Sequence, residues 1–248
     1  MNFIGKGETL KLLENSLLNA RVLPQLTFTN NEWHFAKQNW HEVIRESAWM
    51  LGKVIVRSCA SDEDQKVGSL AGKYHSVLNV SGISQIQKAI KLVLDSYGES
   101  RDDDKVFIQP MLTDIDISGV VFSQEPNFNS PYFVINYDDF SRKSDTITSG
   151  MCQQSKLAYI ARSFSTRARG WKAKVVALMY ELEILFNTNQ LDIEFAITSR
   201  GDLYLFQVRP LVIECRRSFW MIRLSLSKSC NPSRASLLCL IYPCFYWV

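Results

Sequence analysis

The chain lacks the marks of several common protein classes. Its start, Met1-Asn2-Phe3-Ile4-Gly5-Lys6, has no basic stretch leading into an apolar run, so no secretory signal is expected. No segment approaches the about 20 apolar residues of a membrane helix, and no membrane association is expected. Paired cysteine spacing of the metal-binding kind is missing: Cys59 and Cys152 stand alone, and Cys215, Cys230, Cys239 and Cys244 crowd the end. Reduced thiols and a cytoplasmic location follow as expectations. Strong charge of one sign is also missing: 28 basic and 25 acidic residues leave a net +3, which gives no support to a nucleic-acid partner. No internal repeat is visible.

What is present suits a large domain or two lobes, since 248 residues with 46% apolar content can bury a substantial core. Leucines at helical spacing mark Glu8–Ala20, and a second helix is expected over Asn31–Leu51, with Trp33, Trp40, Val43 and Ile44 inside. Val54–Val56 and Tyr74–Val80 read as strands, and Ile83–Ser96 as a periodic helix. After the polar break Glu99–Asp104 come strands at Val106–Met111, Gly119–Ser123, Tyr132–Asn136 and Lys156–Ala161, a helix at Trp171–Phe186, and a hairpin over Leu191–Leu211. The fold class expected is α+β, with one lobe over residues 1–104 and another over 105–211. Residues 212–248 differ in texture: Glu214 is the last acidic residue, and the end is rich in Ser, Cys and aromatics. That tail reads as out-of-frame or otherwise unselected sequence, poorly ordered.

The hairpin carries the first candidate chemistry. Leu191–Thr198 alternates in character as a half-buried strand does. A turn centred on Arg200-Gly201 would set Glu194 opposite Gln207, Asp192 opposite Arg209, Phe195 opposite Phe206 and Ile197 opposite Tyr204. One face is then apolar, while the other has Ala196 and Leu205 near the turn and two carboxylates, an amide and a guanidinium at the far end. Opposed side chains sit about 4.5–5.5 Å apart. Carboxylate and amide oxygens are the hard ligands Mg²⁺ uses beside phosphates, and an arginine can reach a transferring phosphoryl group. An odd-length turn would slip this register, and a solvated sheet face is the competing reading of the pattern.

Candidate phosphate contacts lie nearer the start. Val54-Ile55-Val56 runs into Arg57, whose planar fork suits phosphate oxygens, although an arginine ending a strand in solvent looks the same. The small-residue loop Gly68-Ser69-Leu70-Ala71-Gly72 would let backbone N–H groups approach an anion. It is neither the phosphate loop ending in Gly-Lys-Ser/Thr nor a dinucleotide fingerprint. Gly5-Lys6-Gly7 offers a flexible backbone and an ammonium ahead of a helix.

Taken in order, Lys6-Gly7, Val54–Ser61, Gly68–Gly72, Gln109-Pro110-Met111, Ser118–Phe122, Asp192-Ile193-Glu194 and Gln207-Val208-Arg209-Pro210 resemble the nucleotide-binding domain of phosphoenolpyruvate synthases and pyruvate phosphate dikinases. The resemblance spans nearly all of Met1–Leu211 and implies an ATP-grasp fold in two lobes with Mg²⁺-ATP between them. It implies that Lys6 and Arg57 contact ATP phosphates, that Gly68–Gly72 cover them, and that Gln109 lines the adenine pocket. Asp192, Glu194 and Gln207 would hold metal and nucleotide, and Arg209 would steady the transferring phosphoryl group.

The chain departs from that family at three places. Cys59 stands where a serine is usual, and Asn136–Lys143 where many members carry Gly-Leu-Gly-Glu. Family members also pass the phosphoryl group to a histidine on a separate domain and then to pyruvate. Here only His34, His41 and His75 occur, none in a Gly-Gly-x-x-Ser-His-Ala context. The expected activity is therefore that of a phosphotransferase component, incomplete alone and working with a separate phosphohistidine domain. The alternative is a non-catalytic nucleotide-binding or inert truncated fragment.

Overall fold

A computed structural model describes residues 1–35, 40–59, 76–98, 104–141 and 155–213. Met1–Cys215 forms one compact unit built on two β-sheets, the α+β arrangement expected. The loop Gly68–Gly72, His75 and the tail from Glu214 lie outside the described residues.

The smaller sheet has four antiparallel strands in the order β2 (Leu26–Thr29), β5 (Lys105–Pro110), β3 (Val54–Ser58), β4 (Ser76–Val80). Strand alternation sends Val54, Val56, Val106, Ile108 and Phe28 to one face. Helix α4 (Ile83–Asp95) meets that face with Ile86, Ala89, Ile90, Val93 and Leu94, the i, i+3, i+4, i+7, i+8 stripe of an amphipathic helix. Trp33, Ile44 and Met50 complete this core. They come from α2 (Asn30–Phe35), α3 (Trp40–Glu46) and a 3₁₀ turn at Ala48–Leu51. The helix expected over Asn31–Leu51 differs at both ends among the described residues. It starts one residue early because Thr29 and Glu32 form a capping box: the Thr29 N–H donates to Glu32 Oε2 at 2.7 Å and the Glu32 N–H to Thr29 Oγ1 at 3.1 Å. It stops before Ser47, whose φ of −91° and ψ of 91° are extended.

The larger sheet runs β1 (Arg21–Val22), β10 (Leu203–Pro210), β9 (Leu191–Thr198), β6 (Ile115–Phe122), β7 (Tyr132–Asp138), β8 (Lys156–Ala161). Among the described residues its only parallel pair is β1 with β10. One face, carrying Ile193, Phe195, Val121, Phe133 and Ile135, buries against Leu10 and Leu13 of α1 (Lys6–Leu13) and Val175, Leu178, Met179 and Leu182 of α5 (Trp171–Phe186). Helix α1 is shorter than the leucine spacing predicts. Past Leu13, Glu181 of α5 accepts hydrogen bonds from the Leu18 and Asn19 backbone N–H groups at 2.6 and 3.0 Å, holding that stretch in a non-helical path. Asn187 ends α5 in the left-handed region, as helix-terminating asparagines do. A bidentate pair locks α5 to the sheet, with Arg162 Nη1 and Nη2 donating to the two Glu183 oxygens at 2.7 and 2.6 Å and the guanidinium lying over Phe133.

The chain crosses between sheets only twice among the described residues, at Leu23–Gln25 and at Met111–Asp114. The small-sheet half is thus one continuous stretch, Leu26–Pro110, and the large-sheet half is assembled from both sides of it. β5, the strand that follows the polar break at Glu99–Asp104 in sequence, sits between β2 and β3. Strands β1 and β2 carry no strong sequence signal, being two and four residues long around Pro24. No described helix is long and apolar enough to cross a membrane.

Gly119 shows how closely β6 and β7 are packed. A Cβ built there would sit 2.6 Å from the Asn136 carbonyl oxygen and 2.8 Å from the Phe195 ring. Backbone cannot yield as a flexible side chain can, so Gly119→Ala should lower unfolding free energy by roughly 1–3 kcal/mol, measurable in urea denaturation. An unchanged midpoint would contradict the packing described.

Candidate functional site

The hairpin turn has an odd number of residues. The Thr198 N–H donates to the Asp202 carbonyl at 3.0 Å and the Gly201 N–H to Thr198 at 2.8 Å, leaving Ser199-Arg200-Gly201 as the loop. Gly201 takes φ +80°, the left-handed position such three-residue turns need. Near the turn the pairing is therefore Ile197 with Leu203, Ala196 with Tyr204 and Phe195 with Leu205. This corrects the expected Ile197–Tyr204 and Phe195–Phe206 pairs and moves Leu205 into the core. A β-bulge between Leu205 and Gln207 then absorbs the extra residue. Beyond it the register is the one expected: Gln207 with Glu194, Val208 with Ile193, Arg209 with Asp192.

The four polar residues consequently share the sheet face turned away from α1 and α5. Asp192 and Gln207 are buried, Glu194 is half-buried and Arg209 is exposed. Arg209 Nε and Nη2 each lie 2.7 Å from Asp192 Oδ2, a charge-assisted pair on a carboxylate whose side chain is only 7% exposed. Across the sheet, Gln207, Glu194, Val120 and Asn136 form one row, and Arg209, Asp192, Phe122 and Val134 the next. Asn136 is a member that the sequence reading left out of the polar set, although it lies in the strand expected over Tyr132–Asn136; the cross-sheet register, not the strand pattern, brings it into the row. At the turn end this face is apolar, with Ala196, Tyr204 and Phe206 packing on Ile115, Leu23 and Leu112.

A second polar face belongs to the small sheet. Pairing of Ile55 with Gln109, Arg57 with Phe107 and Thr27 with Phe107 puts Arg57, Gln109 and Thr27 on the face opposite α4. The start of α1 lies against this face. Gly7 is so close that a Cβ would meet Thr27 Oγ1 at 2.9 Å and the Phe107 ring at 3.1 Å. Its N–H donates to Cys59 Sγ at 3.4 Å, and its carbonyl accepts from Gln25 Nε2 at 2.6 Å. Lys6, one residue earlier, is near enough for its charge to act on the Cys59 thiol. The start of α1, which carries Lys6, thus lies against the sheet face that carries Arg57 and Gln109. Gln25 and Thr27 were missed because β2 was not anticipated. Among the buried side-chain atoms without a hydrogen-bond partner in the protein are Gln25 Oε1, Thr27 Oγ1 and Gln109 Nε2, all on this face.

The two faces are joined by chain: β5 carries Gln109, and Leu112, three residues on, packs onto the apolar end of the large-sheet face. No cluster of three or more His, Cys, Asp or Glu residues able to hold a metal occurs among the described residues. The hairpin supplies two carboxylates and an amide, a donor set that suits a Mg²⁺ ion whose remaining ligands are phosphate oxygens and water. His34 is exposed on α2.

Comparison with known proteins adds the following. Residues 36–102 match the family described as pyruvate phosphate dikinase, AMP/ATP-binding domain. That stretch, about a quarter of the chain, contains Arg57 and Gly68–Gly72 and shows there the resemblance read from the sequence. No curated protein matches the chain. Among solved structures, D-alanine-D-alanine ligase from Helicobacter pylori aligns over 83% of this chain and 50% of its own at 12% identity and TM-score 0.46. The corresponding ligase from Coxiella burnetii aligns over 85% and 48% at 11% identity and TM-score 0.48. N5-carboxyaminoimidazole synthetase from Staphylococcus aureus, complexed with ADP, aligns over 83% and 42% at 15% identity and TM-score 0.41. The chain thus spans about half the length of the structures it matches.

Two outcomes follow from this geometry. Burial raises the Cys59 thiol pKa to about 11, a rise that the Gly7 N–H only partly offsets. The neutral thiol is favoured by folding, so this contribution to stability is complete below pH 9 and is lost as pH rises toward 11. At pH 8 Cys59 should resist iodoacetamide in the native protein and react after unfolding, as read by mass spectrometry of the labelled peptide. Separately, Arg209→Met strands the Asp192 carboxylate and should cost roughly 1–3 kcal/mol; an unaltered urea midpoint would refute the pairing.

Proposed function

We propose, taking residues 36–102 as a segment of the pyruvate phosphate dikinase AMP/ATP-binding family, that this protein binds Mg²⁺-ATP against the polar faces of its two sheets. The observation that carries the reading is the polar set on each sheet: Thr27, Arg57 and Gln109 on the small-sheet face opposite α4, and Asp192, Glu194, Gln207 and Arg209 on the large-sheet face away from α1 and α5. Lys6 and Arg57 would contact phosphates, with Gly68–Gly72 over them. Gln109 would line the base pocket, and Asp192, Glu194 and Gln207 would hold the metal. Arg209, steered by Asp192, would meet the transferring phosphoryl group. Bound Mg²⁺ would neutralise phosphate charge; the protein's own part is positioning and electrostatics, which dominate phosphoryl transfer.

The finer reading is a phosphotransferase component of the phosphoenolpyruvate synthase type that delivers a phosphoryl group to a histidine on a separate domain. It is supported by the order of motifs from Lys6 to Arg209. None of the three histidines has the sequence context of a phosphoryl carrier.

Titration calorimetry with Mg²⁺-ATP tests the site. Arg57→Ala and Glu194→Ala should each weaken binding about tenfold or more, as expected for lost charge-assisted contacts. Equal affinity in parent and variants would remove the assignment. The transfer step is read with γ-labelled ATP and an added phosphohistidine domain: label on its histidine is expected, and label that never leaves ATP would reduce the protein to a nucleotide binder.

A further inference from the structure

We infer that Gln25 reads the exocyclic amino group of the nucleotide base and ties that recognition to the Lys6–Gly7 corner; the inference rests on the nucleotide reading above. Gln25 leads into β2, whose register sets Thr27 opposite Phe107 and Leu26 opposite Ile108. Continued by one residue pair, the same register brings Gln25 opposite Gln109. Both amides then lie on the sheet face opposite α4, at the end of β5 that leads to Leu112 and the large-sheet face.

The two amides present complementary unmet capacity. Gln25 Oε1 is a buried acceptor without a donor, and Gln109 Nε2 a buried donor without an acceptor, yet the two do not bond to each other. Gln109 is only 2% exposed, so its unmet donor is costly unless some other group supplies the acceptor. A molecule that donates to one amide and accepts from the other resolves both. The amino group and adjacent ring nitrogen of adenine offer that pattern. The six-position carbonyl and ring N–H of hypoxanthine or guanine offer its reverse.

A free glutamine side chain could rotate to accept either pattern. Gln25 cannot do so at no cost, because its Nε2 donates to the Gly7 carbonyl at 2.6 Å. Rotation would set Oε1 against that carbonyl and lose the bond. The acceptor is therefore fixed toward the ligand, which makes Gln25 a specificity determinant for six-amino purines. The same bond holds the backbone that carries Lys6, so base recognition and phosphate contact share one anchor.

Competition binding of Mg²⁺-ATP against Mg²⁺-ITP to the full chain tests this. The parent should prefer ATP by on the order of tenfold, the scale of one buried hydrogen bond gained and one acceptor–acceptor clash avoided. Gln25→Met, which keeps the side-chain length and loses both polar atoms, should lower that ratio several-fold, with what remains owed to the Gln109 donor. A ratio unchanged by Gln25→Met overturns the role of Gln25 and leaves the site standing. A parent that binds neither nucleotide overturns the site and, with it, this inference. Should the variant not fold by circular dichroism, N6,N6-dimethyl-ATP tests the parent directly: a loss on the order of tenfold relative to ATP is expected, and equal affinity refutes the contact.

Discussion

An odd turn and a bulge that cancel each other hold the candidate site together. Ser199-Arg200-Gly201 shifts the hairpin by one residue, which in a period-two strand would send every polar side chain of β10 to the core. The extra residue at Phe206 reverses the shift within five residues of the turn. Core side chains then meet core side chains on both halves of the hairpin: Ile197 and Phe195 with Leu203 and Leu205 before the bulge, Ile193 with Val208 after it. Had the bulge been absent, Gln207 and Arg209 would lie among the leucines of α5 with their polar groups unmet. The energetic penalty for that arrangement fixes the bulge more firmly than any local propensity.

How far the sequence foretold this follows from where its signals were strong. The spans of α5 and β8 were foretold, although α5 is apolar nearly all round and β8 buries little of itself. The periodic stripe of α4 was legible because its burial pattern is long and regular. The polar set at the far end of the hairpin was legible for the same reason. The pairing near its turn was not, since a two-residue and a three-residue turn around Arg200-Gly201 share the same residues and differ only in backbone geometry. Strands β1 and β2 escaped because they are short and owe their form to β10 and β5, not to their own sequence. With β2 unread, Gln25 and Thr27 were invisible as site residues. Lys6 and Arg57 were singled out from their own local sequence, but the nearness of their elements rests on the long-range contact of Gly7 with Cys59, which no spacing rule reports.

Both sheets divide their faces in the same way, and the division separates stability from ligand chemistry. The helix-covered faces hold the large apolar side chains and tolerate little change, as the close approach at Gly119 illustrates. The small-sheet face opposite α4 carries polar atoms left without partners inside the protein, among them Gln25 Oε1 and Gln109 Nε2. Such groups weaken the fold unless something else satisfies them, so a ligand that does so should stabilise the whole unit by mass action. Strained or unmet local features of this kind concentrate at sites of function.

The two crossings between the sheets have a mechanical consequence. Leu23 and Leu112, which flank the small-sheet half in the chain, pack into one apolar cluster with Phe206 and Ile115. The inserted half is also held away from those crossings: Gly7 of α1 lies against Thr27 and Phe107 and donates to Cys59, and Phe107 shares a core with Leu10 and Leu13. Gln25 stands beside one crossing and bonds the Gly7 carbonyl, so it touches both fastenings at once. A ligand gripped by that side chain would load the crossing and α1 together.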